Sequence, residues 1–169
     1  MTILSGLADQ MLGGLGGNRE IDCRIWCEIN GHTFVRWIHH SERVTWGDIE
    51  GSDRKAVCNA GMVFERKGGA DYRNARFQQH GATPHYTSDL TAAMSLVPAD
   101  HTVQLSDWED ERLRLRGAWQ AIVLPRGVRG RMTEYTFTNR CDHAGTAALA
   151  LSCAALRARA SIIDREVSK

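Results

Sequence analysis

EIDCRIWCEINGHTFVRWI, residues 20–38, holds the most regular hydrophobic pattern in the chain. Isoleucine and cysteine occupy every second position over 21–29 and alternate with Asp, Arg, Trp and Glu, which is the period of a β-strand. Asn30 and Gly31 then form the dipeptide that favours a type I′ turn between two strands. The stretch therefore predicts a β-hairpin, and with it a fold built on an antiparallel sheet.

The predicted hairpin has large apolar groups on both faces. A two-residue turn pairs Cys27 with Phe34 on one face and Trp26 with Val35 on the other. Such a sheet is covered on both sides by the fold, or on one side by the fold and on the other by a partner. Cys23 shares the face of Cys27, and both are interpreted as core residues, because paired zinc ligands usually come from short Cys-containing turns.

Helices are predicted near both ends of the chain. In LSGLADQMLGGLGG, residues 4–17, four apolar side chains share one helical face, and the glycine pairs that follow end the helix. GTAALALSCAALRARASIIDREV, residues 145–167, predicts a long amphipathic helix with Thr146 as a cap. The two predicted faces consist of Leu4, Leu7, Ala8 and Met11, and of Leu149, Cys153, Leu156, Ala160 and Ile163.

YTSDLTAAMSLVP, residues 86–98, has a helix-starting signal at one end and a helix-ending signal at the other. Ser88 or Thr87 is a suitable N-cap, Asp89 favours the positive end of a helix, and Pro98 forbids its continuation. The stretch predicts a short helix whose buried face consists of Leu90, Ala93, Met94 and Val97.

The remaining strands are predicted on either side of that helix. HTVQLSDW, LRLRGAWQAIVLP and MTEYTFT indicate an antiparallel meander after it. Before it, the polar region 39–85 holds one strand or two within 56–65 and is otherwise loop. The chain therefore predicts an α+β fold, with an antiparallel sheet and packed helices, as a single domain over residues 1–169 with a loop-rich insert around 39–85.

Three segments, in chain order, resemble a known family. REIDCRIWCEI, YTSDLTAAMSLVP and GTAALALSCAALRARA together resemble the phage ABA sandwich domain family of small tailed-phage proteins. The resemblance implies a three-layer α/β/α sandwich encoded by a phage, and it implies no catalytic mechanism common to the family. The departure from the family pattern is the charged insert, where an individual activity is expected to reside.

Charge and hydropathy exclude several classes of partner. The 21 basic and 20 acidic residues nearly cancel, so we expect no binding to extended nucleic acid. No apolar run is long enough to span a bilayer, and the N-terminus lacks the pattern of a secretory signal, so we expect no membrane partner and a place in the host cytoplasm. The five cysteines are then expected to be reduced.

Arginines, glycines and aromatic residues suggest a small nucleotide site. Guanidinium groups bind phosphates, and aromatic faces stack on bases. Arginines occur around the turn RGVRGR and in DYRNARF, and tryptophans provide possible platforms. The predicted ligand-binding residues are Arg73, Arg76, Arg126, Arg129, Arg131, Trp46 and Trp108, with Arg140 and Trp37 as further members of these groups. The alternative is that the arginines are solvated and the tryptophans belong to the core.

Catalytic and metal sites are less well supported. No histidine or cysteine has a recognised ligand spacing, no nucleophile motif occurs, and no cofactor or metal is expected. The carboxylates of SDWEDE, residues 106–111, either form a solvated hairpin tip or, with His101, hold Mg²⁺ for a phosphodiesterase. The set proposed for that enzyme is Asp107, Glu109, Asp110 and His101.

The function expected from these observations is binding rather than catalysis. The protein is predicted to be a phage accessory protein that sequesters a small anionic ligand, such as a nucleotide immune signal of the bacterial host, and to form a homo-oligomer. The alternatives are the metal-assisted phosphodiesterase and a protein interaction module with no small ligand.

Overall fold

The computed structural model describes residues 2–12, 18–38, 43–45, 55–57, 61–66, 76–79, 83–110, 115–127 and 140–168. The chain forms two compact units, one made of Met1–Asn18 and His85–Lys169 and the other of Arg19–Pro84. In chain order the elements are α1 (Ile3–Gln10), α2 (Arg19–Ile29), β1 (His32–Ile38), β2 (Arg43–Thr45), β3 (Lys55–Val57), β4 (Gly61–Arg66), β5 (Arg76–Gln79), α3 (Leu90–Met94), β6 (His101–Asp110), β7 (Leu115–Pro125), β8 (Arg140–Ala144) and α4 (Ala147–Val167).

The sheet of the first unit is an antiparallel meander. β6 pairs with β7, and β7 pairs with β8, so that consecutive strands are neighbours. This confirms the meander and its first two strands. The predicted third strand, 132–138, lies outside the described residues, and β8 begins immediately after it.

The long helix α4 forms the centre of the first unit. It contacts the sheet, α1 and α3, and every residue from Ala148 to Leu156 is buried. The cap is confirmed, since Thr146 Oγ1 accepts a hydrogen bond from the Leu149 amide at 3.1 Å. A purely amphipathic helix was the expectation, but the first half of α4 is buried on all sides, because small alanine side chains let several elements approach it. Of the predicted face, Ile163 is 40% exposed and lies beyond this buried half.

Helix α1 matches its prediction closely. All four residues of its predicted face, Leu4, Leu7, Ala8 and Met11, are buried. Thr2 is its N-cap, and its Oγ1 accepts a hydrogen bond from the Ser5 amide. The predicted face of α1 is therefore confirmed.

Helix α3 exists where it was predicted, but its cap and buried face differ. Asp89 is the N-cap, and its Oδ1 accepts hydrogen bonds from the amides of Thr91 and Ala92 at 2.7 and 3.4 Å. Leu90 and Met94 are 42% and 48% exposed, although the sequence predicted them inside. The helix is only five residues long, so its predicted stripe never forms, and Leu96 in the turn that follows is buried instead.

The predicted first strand of the hairpin is the helix α2, so the hairpin prediction is wrong. Residues i and i+4 share a helical face, which places Ile21 with Ile25 and Cys23 with Cys27. All four side chains are at most 3% exposed. A helix that is buried on two faces gives the same alternating pattern as a strand, and the sequence alone did not separate the two.

The Asn30–Gly31 pair ends this helix instead of turning a hairpin. The Asn30 amide donates to the Trp26 carbonyl oxygen, and the Gly31 amide donates to that of Glu28. Gly31 has a φ of 68°, the left-handed conformation that commonly follows the last residue of a helix. The predicted cross-strand pairs therefore do not form, and β1 pairs with β4.

The second unit holds two small antiparallel sheets. One has the order β1-β4-β5, and the other pairs β2 with β3. β3 and β4 lie in the stretch 56–65 where one strand or two were predicted, whereas β2 and β5 were not predicted. The buried cluster of this unit contains Cys23, Cys27, Met62 and Phe64, with Trp26, Phe34 and Trp37 packed against it.

The described residues thus form an α+β fold, as the sequence predicted. The three-layer sandwich and the single domain over residues 1–169 stay predictions. The apolar second face of the hairpin was the argument for a subunit contact, and this argument is lost because the hairpin does not form.

Candidate functional site

A pocket of about 170 Å³ with both polar and apolar lining residues lies in the first unit. It is placed where β6 begins, where β7 ends and where the last turns of α4 pass. His101 and Pro125 are partners in the β6–β7 pairing, which brings these two strand ends together. The pocket is lined by Asp100, His101, Pro125, Ala158, Ser161, Ile162 and Arg165, and is called the His101 pocket below.

His101 is fixed in this pocket by its neighbours. Its Nδ1 lies 2.7 Å from Oδ1 of Asp100, and its backbone amide donates to the Pro98 carbonyl oxygen at 3.0 Å. The imidazole is 5% exposed, whereas the Asp100 side chain is 78% exposed. An ionised carboxylate can only accept hydrogen bonds, so it favours the tautomer that carries the proton on Nδ1.

Two arginines and one carboxylate set the charge in and beside the pocket. The hydrogen bond with His101, with a further contribution from the charge of Arg126, lowers the pKa of Asp100 from its ordinary value. The Arg126 amide also donates to the Asp100 carbonyl oxygen at 2.7 Å, which holds the end of β7 against the start of β6. Arg165 lines the pocket from the last turn of α4. Two guanidinium groups and one imidazole therefore accompany a single carboxylate.

Helix α4 contributes one continuous face to the pocket. Ala158, Ser161, Ile162 and Arg165 follow one another at spacings of three, one and three, which places them along one side of a helix. The Ser161 hydroxyl donates to the Arg157 carbonyl oxygen at 2.8 Å within the helix. A serine and an arginine at this spacing were the sequence signal for this side of the pocket, and the prediction overlooked it.

Arg126 is the only predicted ligand-binding residue whose side-chain position the structure describes. It is exposed and follows the pocket residue Pro125 directly, in a turn completed by Gly127 with a φ of 89°. For Arg76, in β5, and Trp108, in β6, the structure describes the backbone alone. The remaining four lie outside the described residues: Arg73, Arg129, Arg131 and Trp46.

The predicted set is divided between the two units. Arg73, Arg76 and Trp46 belong to the unit Arg19–Pro84, and the other four belong to the unit that holds the His101 pocket. Trp37, considered as a stacking platform, packs against the buried cluster of its unit and is accounted for as a core residue. The Arg140 carbonyl oxygen accepts a hydrogen bond from Arg157, so its backbone contributes to packing.

The carboxylates proposed for a metal site do not lie near His101. His101 and Asp107 are six residues apart on the strand β6, or about 20 Å at the rise of a β-strand. Glu109 and Asp110 lie farther along the same strand. His101 is therefore too far from these carboxylates to hold one ion with them. Among the described residues, no three His, Cys, Asp or Glu side chains form a group that could hold a metal.

The described cysteines are free thiols with different surroundings. Cys23 and Cys27 are core residues, as predicted, although they lie on a helix. Burial raises the pKa of both thiols, that of Cys27 to about 12. Cys141 and Cys153 are also buried, in the first unit.

Comparison of the chain with protein-family models, curated proteins and solved structures gave no match. The resemblance to the phage family therefore stays a prediction. None of the described helices combines the length and the hydropathy that crossing a membrane requires.

Proposed function

We propose that this protein binds a small anionic ligand and holds its charged group in the His101 pocket. The observation that supports this proposal is that Arg165 and His101 line one pocket, with Arg126 directly after the lining residue Pro125 and bonded through its amide to the Asp100 carbonyl oxygen. Guanidinium groups are strong hydrogen-bond donors to phosphate and carboxylate oxygens, and a doubly protonated imidazole adds a donor at Nε2 while Nδ1 stays bonded to Asp100. The carboxylate of Asp100 keeps one imidazole nitrogen protonated and orients the ring.

The size of the pocket limits what enters it. Pockets for drug-sized ligands usually measure about 300–1,000 Å³. A pocket of about 170 Å³ suits one phosphoryl or carboxyl group and the atoms next to it. The rest of the ligand would extend past the rim, where Arg126 begins the arginine-rich segment that continues to Arg129 and Arg131.

We propose further that the ligand is a nucleotide signal of the host's defence, and that a phage accessory protein sequesters it intact in the host cytoplasm. This rests on the three segments that resemble the phage family, and on the chemistry of arginine-rich turns, which suits phosphates. Sequestration requires only affinity and a sufficient number of sites. A homo-oligomer, measured by light scattering, is part of the same proposal.

A second candidate function is hydrolysis of the same ligand. The Asp100–His101 pair favours this function, because a histidine whose Nδ1 is held by a carboxylate presents Nε2 as a general base. Asp100→Asn would then abolish turnover while leaving ligand affinity within a few-fold.

The deciding experiment is recovery of bound ligand. The purified protein is incubated with cyclic oligonucleotides and ADP-ribose derivatives, freed of unbound compound, heat-denatured and analysed by chromatography. Intact ligand at near-stoichiometric amounts supports sequestration, and a cleaved product supports hydrolysis. If no compound is retained, the anion-binding proposal is wrong, and a protein partner becomes the leading alternative.

Variants locate the site for any ligand retained. Arg165→Ala and Arg126→Ala should each weaken binding about tenfold or more, because each removes a charge-assisted hydrogen bond. Alanine at Arg129 or Arg131 tests these two predicted binding residues in the same way. Arg36→Ala, an exposed arginine of the other unit, is the matched control and should leave affinity unchanged.

A further inference from the structure

Two buried thiols meet between the meander and the long helix of the first unit. Cys141 in β8 and Cys153 in α4 are each 0% exposed, and the Cys141 side chain is hydrogen-bonded to that of Cys153. Arg157, one helical turn after Cys153, donates to the carbonyl oxygen of Arg140, the residue before Cys141. This bond holds the turn 153–157 of α4 against the strand that carries the second thiol.

The Cys153 thiol has polar neighbours on more than one side, and its Sγ donates a hydrogen bond to the Ala8 carbonyl oxygen at 3.7 Å. The hydrogen bond from Cys141 and the charge of Arg157 lower the pKa of Cys153, although burial opposes them. The Arg157 guanidinium is itself held by Asp9 of α1, with Nη2 and Oδ1 2.8 Å apart. A nearby arginine favours the reactive thiolate form of cysteine, whereas burial, which raises the pKa of Cys27 in the other unit, disfavours it.

We propose that Cys141 and Cys153 are a redox-active pair that hydrogen peroxide, or another small hydroperoxide, oxidises to an intramolecular disulfide. The oxidant must be small because both thiols are fully buried. The two cysteines come from β8 and α4, which pack against each other, and their side chains are already in hydrogen-bond contact. This proposal is independent of the ligand-binding function.

The chemistry is balanced in two steps. The Cys153 thiolate attacks one peroxide oxygen, the O–O bond breaks, and the hydroxide that leaves takes up a proton as water, which gives a Cys153 sulfenic acid. The Cys141 sulfur then attacks the Cys153 sulfur, the S–O bond breaks, and the hydroxyl leaves as water with the Cys141 proton. Two thiols are oxidised by two electrons, and one peroxide is reduced to two water molecules.

The disulfide would tie β8 to α4. The same helix carries Ser161 and Arg165 two to three turns farther along, on the wall of the His101 pocket. Oxidation would thus fix covalently the helix that forms one side of that pocket. Reduction by a dithiol such as dithiothreitol would release it.

The sequence makes the test direct, because both cysteines lie in one tryptic peptide, CDHAGTAALALSCAALR, residues 141–157. The full-length native protein is treated with hydrogen peroxide at equimolar and tenfold excess, denatured in iodoacetamide and digested. The expected result is a peptide 141–157 that is lighter by two hydrogens, carries no alkyl group, and gains two alkyl groups after reduction. Recovery of this peptide with both cysteines alkylated at every peroxide concentration would overturn the proposal.

Internal controls come from the same digest. Cys23 and Cys27 fall in the separate peptides 20–24 and 25–36, and both should be recovered alkylated. If they oxidise as readily as the peptide 141–157, the reaction reports general damage and the proposal fails.

Two variants test the order of the steps. Cys141→Ala removes the resolving thiol, so dimedone should trap a sulfenic acid on Cys153 in the folded protein. Arg157→Gln should slow disulfide formation several-fold, because it removes a charge that lowers the pKa of Cys153. If Cys141→Ala does not fold, the rate of disulfide formation in Arg157→Gln and its pH dependence still test the proposal. A rate equal to that of the unaltered protein contradicts the role given to Arg157.

Discussion

The Ser152 hydroxyl, in the buried half of α4, donates a hydrogen bond of 2.6 Å to the carbonyl oxygen of Tyr86. Ser152 is 0% exposed and Tyr86 is 5% exposed, so water does not compete for this bond. It joins the start of YTSDLTAAMSLVP to the final helix. Two of the three segments on which the family resemblance rests are therefore in direct contact within one unit.

Ser152→Ala should destabilise the protein by about 1–3 kcal/mol, because it leaves a buried carbonyl oxygen without its hydrogen-bond donor. Urea unfolding followed by circular dichroism measures the change. Ser95→Ala is the matched control, since the Ser95 hydroxyl also donates to a backbone carbonyl oxygen, that of Ala92, but at an exposed site. Equal losses for the two variants would show that burial of the Ser152 bond is unimportant.

Asp89→Ala should cost about 0.5–2 kcal/mol, because Asp89 is the N-cap of α3 and its carboxylate accepts from two backbone amides. Ser88→Ala should change stability by less than about 0.5 kcal/mol, as expected for an exposed residue away from such features. The two variants compare the observed cap with one that the sequence had favoured. A larger loss of stability for Ser88→Ala than for Asp89→Ala would mean that Ser88 is the N-cap.

Two glycine-to-alanine substitutions should have opposite signs. Gly31→Ala should destabilise by roughly 1 kcal/mol or more, because Gly31 has a φ of 68° and an alanine there is strained. Gly6→Ala should stabilise by about 0.5–1 kcal/mol, because Gly6 lies inside α1 and an added Cβ would meet nothing within 4 Å. Thermal unfolding of both variants measures the difference, and a stabilising Gly31→Ala is incompatible with the left-handed end of α2.

The His101–Asp100 bond predicts a pH dependence of stability. The hydrogen bond with His101, and then Arg126, lower the pKa of the Asp100 carboxyl below its ordinary value of 3.8 in the folded protein. Stabilisation by this carboxylate is therefore present above that value and is lost as the pH falls through the lower, folded pKa.

Carbon NMR of the Asp100 carboxyl group across that range checks the direction. His101→Phe keeps a ring in the pocket but removes the donor, so the pKa of Asp100 should rise towards its ordinary value. The same titration point in both proteins would mean that His101 does not act on this carboxylate in solution.

Much of the first unit follows from its sequence. Local sequence was enough to predict the Thr146 cap, the buried face of α1, and the strands β6 and β7. Capping and side-chain periodicity depend on neighbours within a few residues. The termination of α3 before Pro98 is equally local. These features needed no knowledge of which elements pack together.

The identity of α2 was not local information. The spacing of Ile21, Cys23, Ile25 and Cys27 fits either a strand with one apolar face or a helix buried on two faces. Asn30–Gly31 is equally ambiguous, since a positive φ serves both a hairpin turn and the end of a helix. Only the packing of Cys23 and Cys27 against Met62 of β4 selects the helix.

Like the helical conformation of α2, the His101 pocket depends on which elements pack together. The sequence by itself determined the composition, the caps, the periodic faces and the arginine-rich turn that begins at Arg126. The tertiary structure alone decided that Asp100 and His101 face Ser161 and Arg165, some 60 residues later in the chain. Local spacing fixes which side of an element a residue occupies, whereas the long-range pairing of surfaces fixes what that side meets.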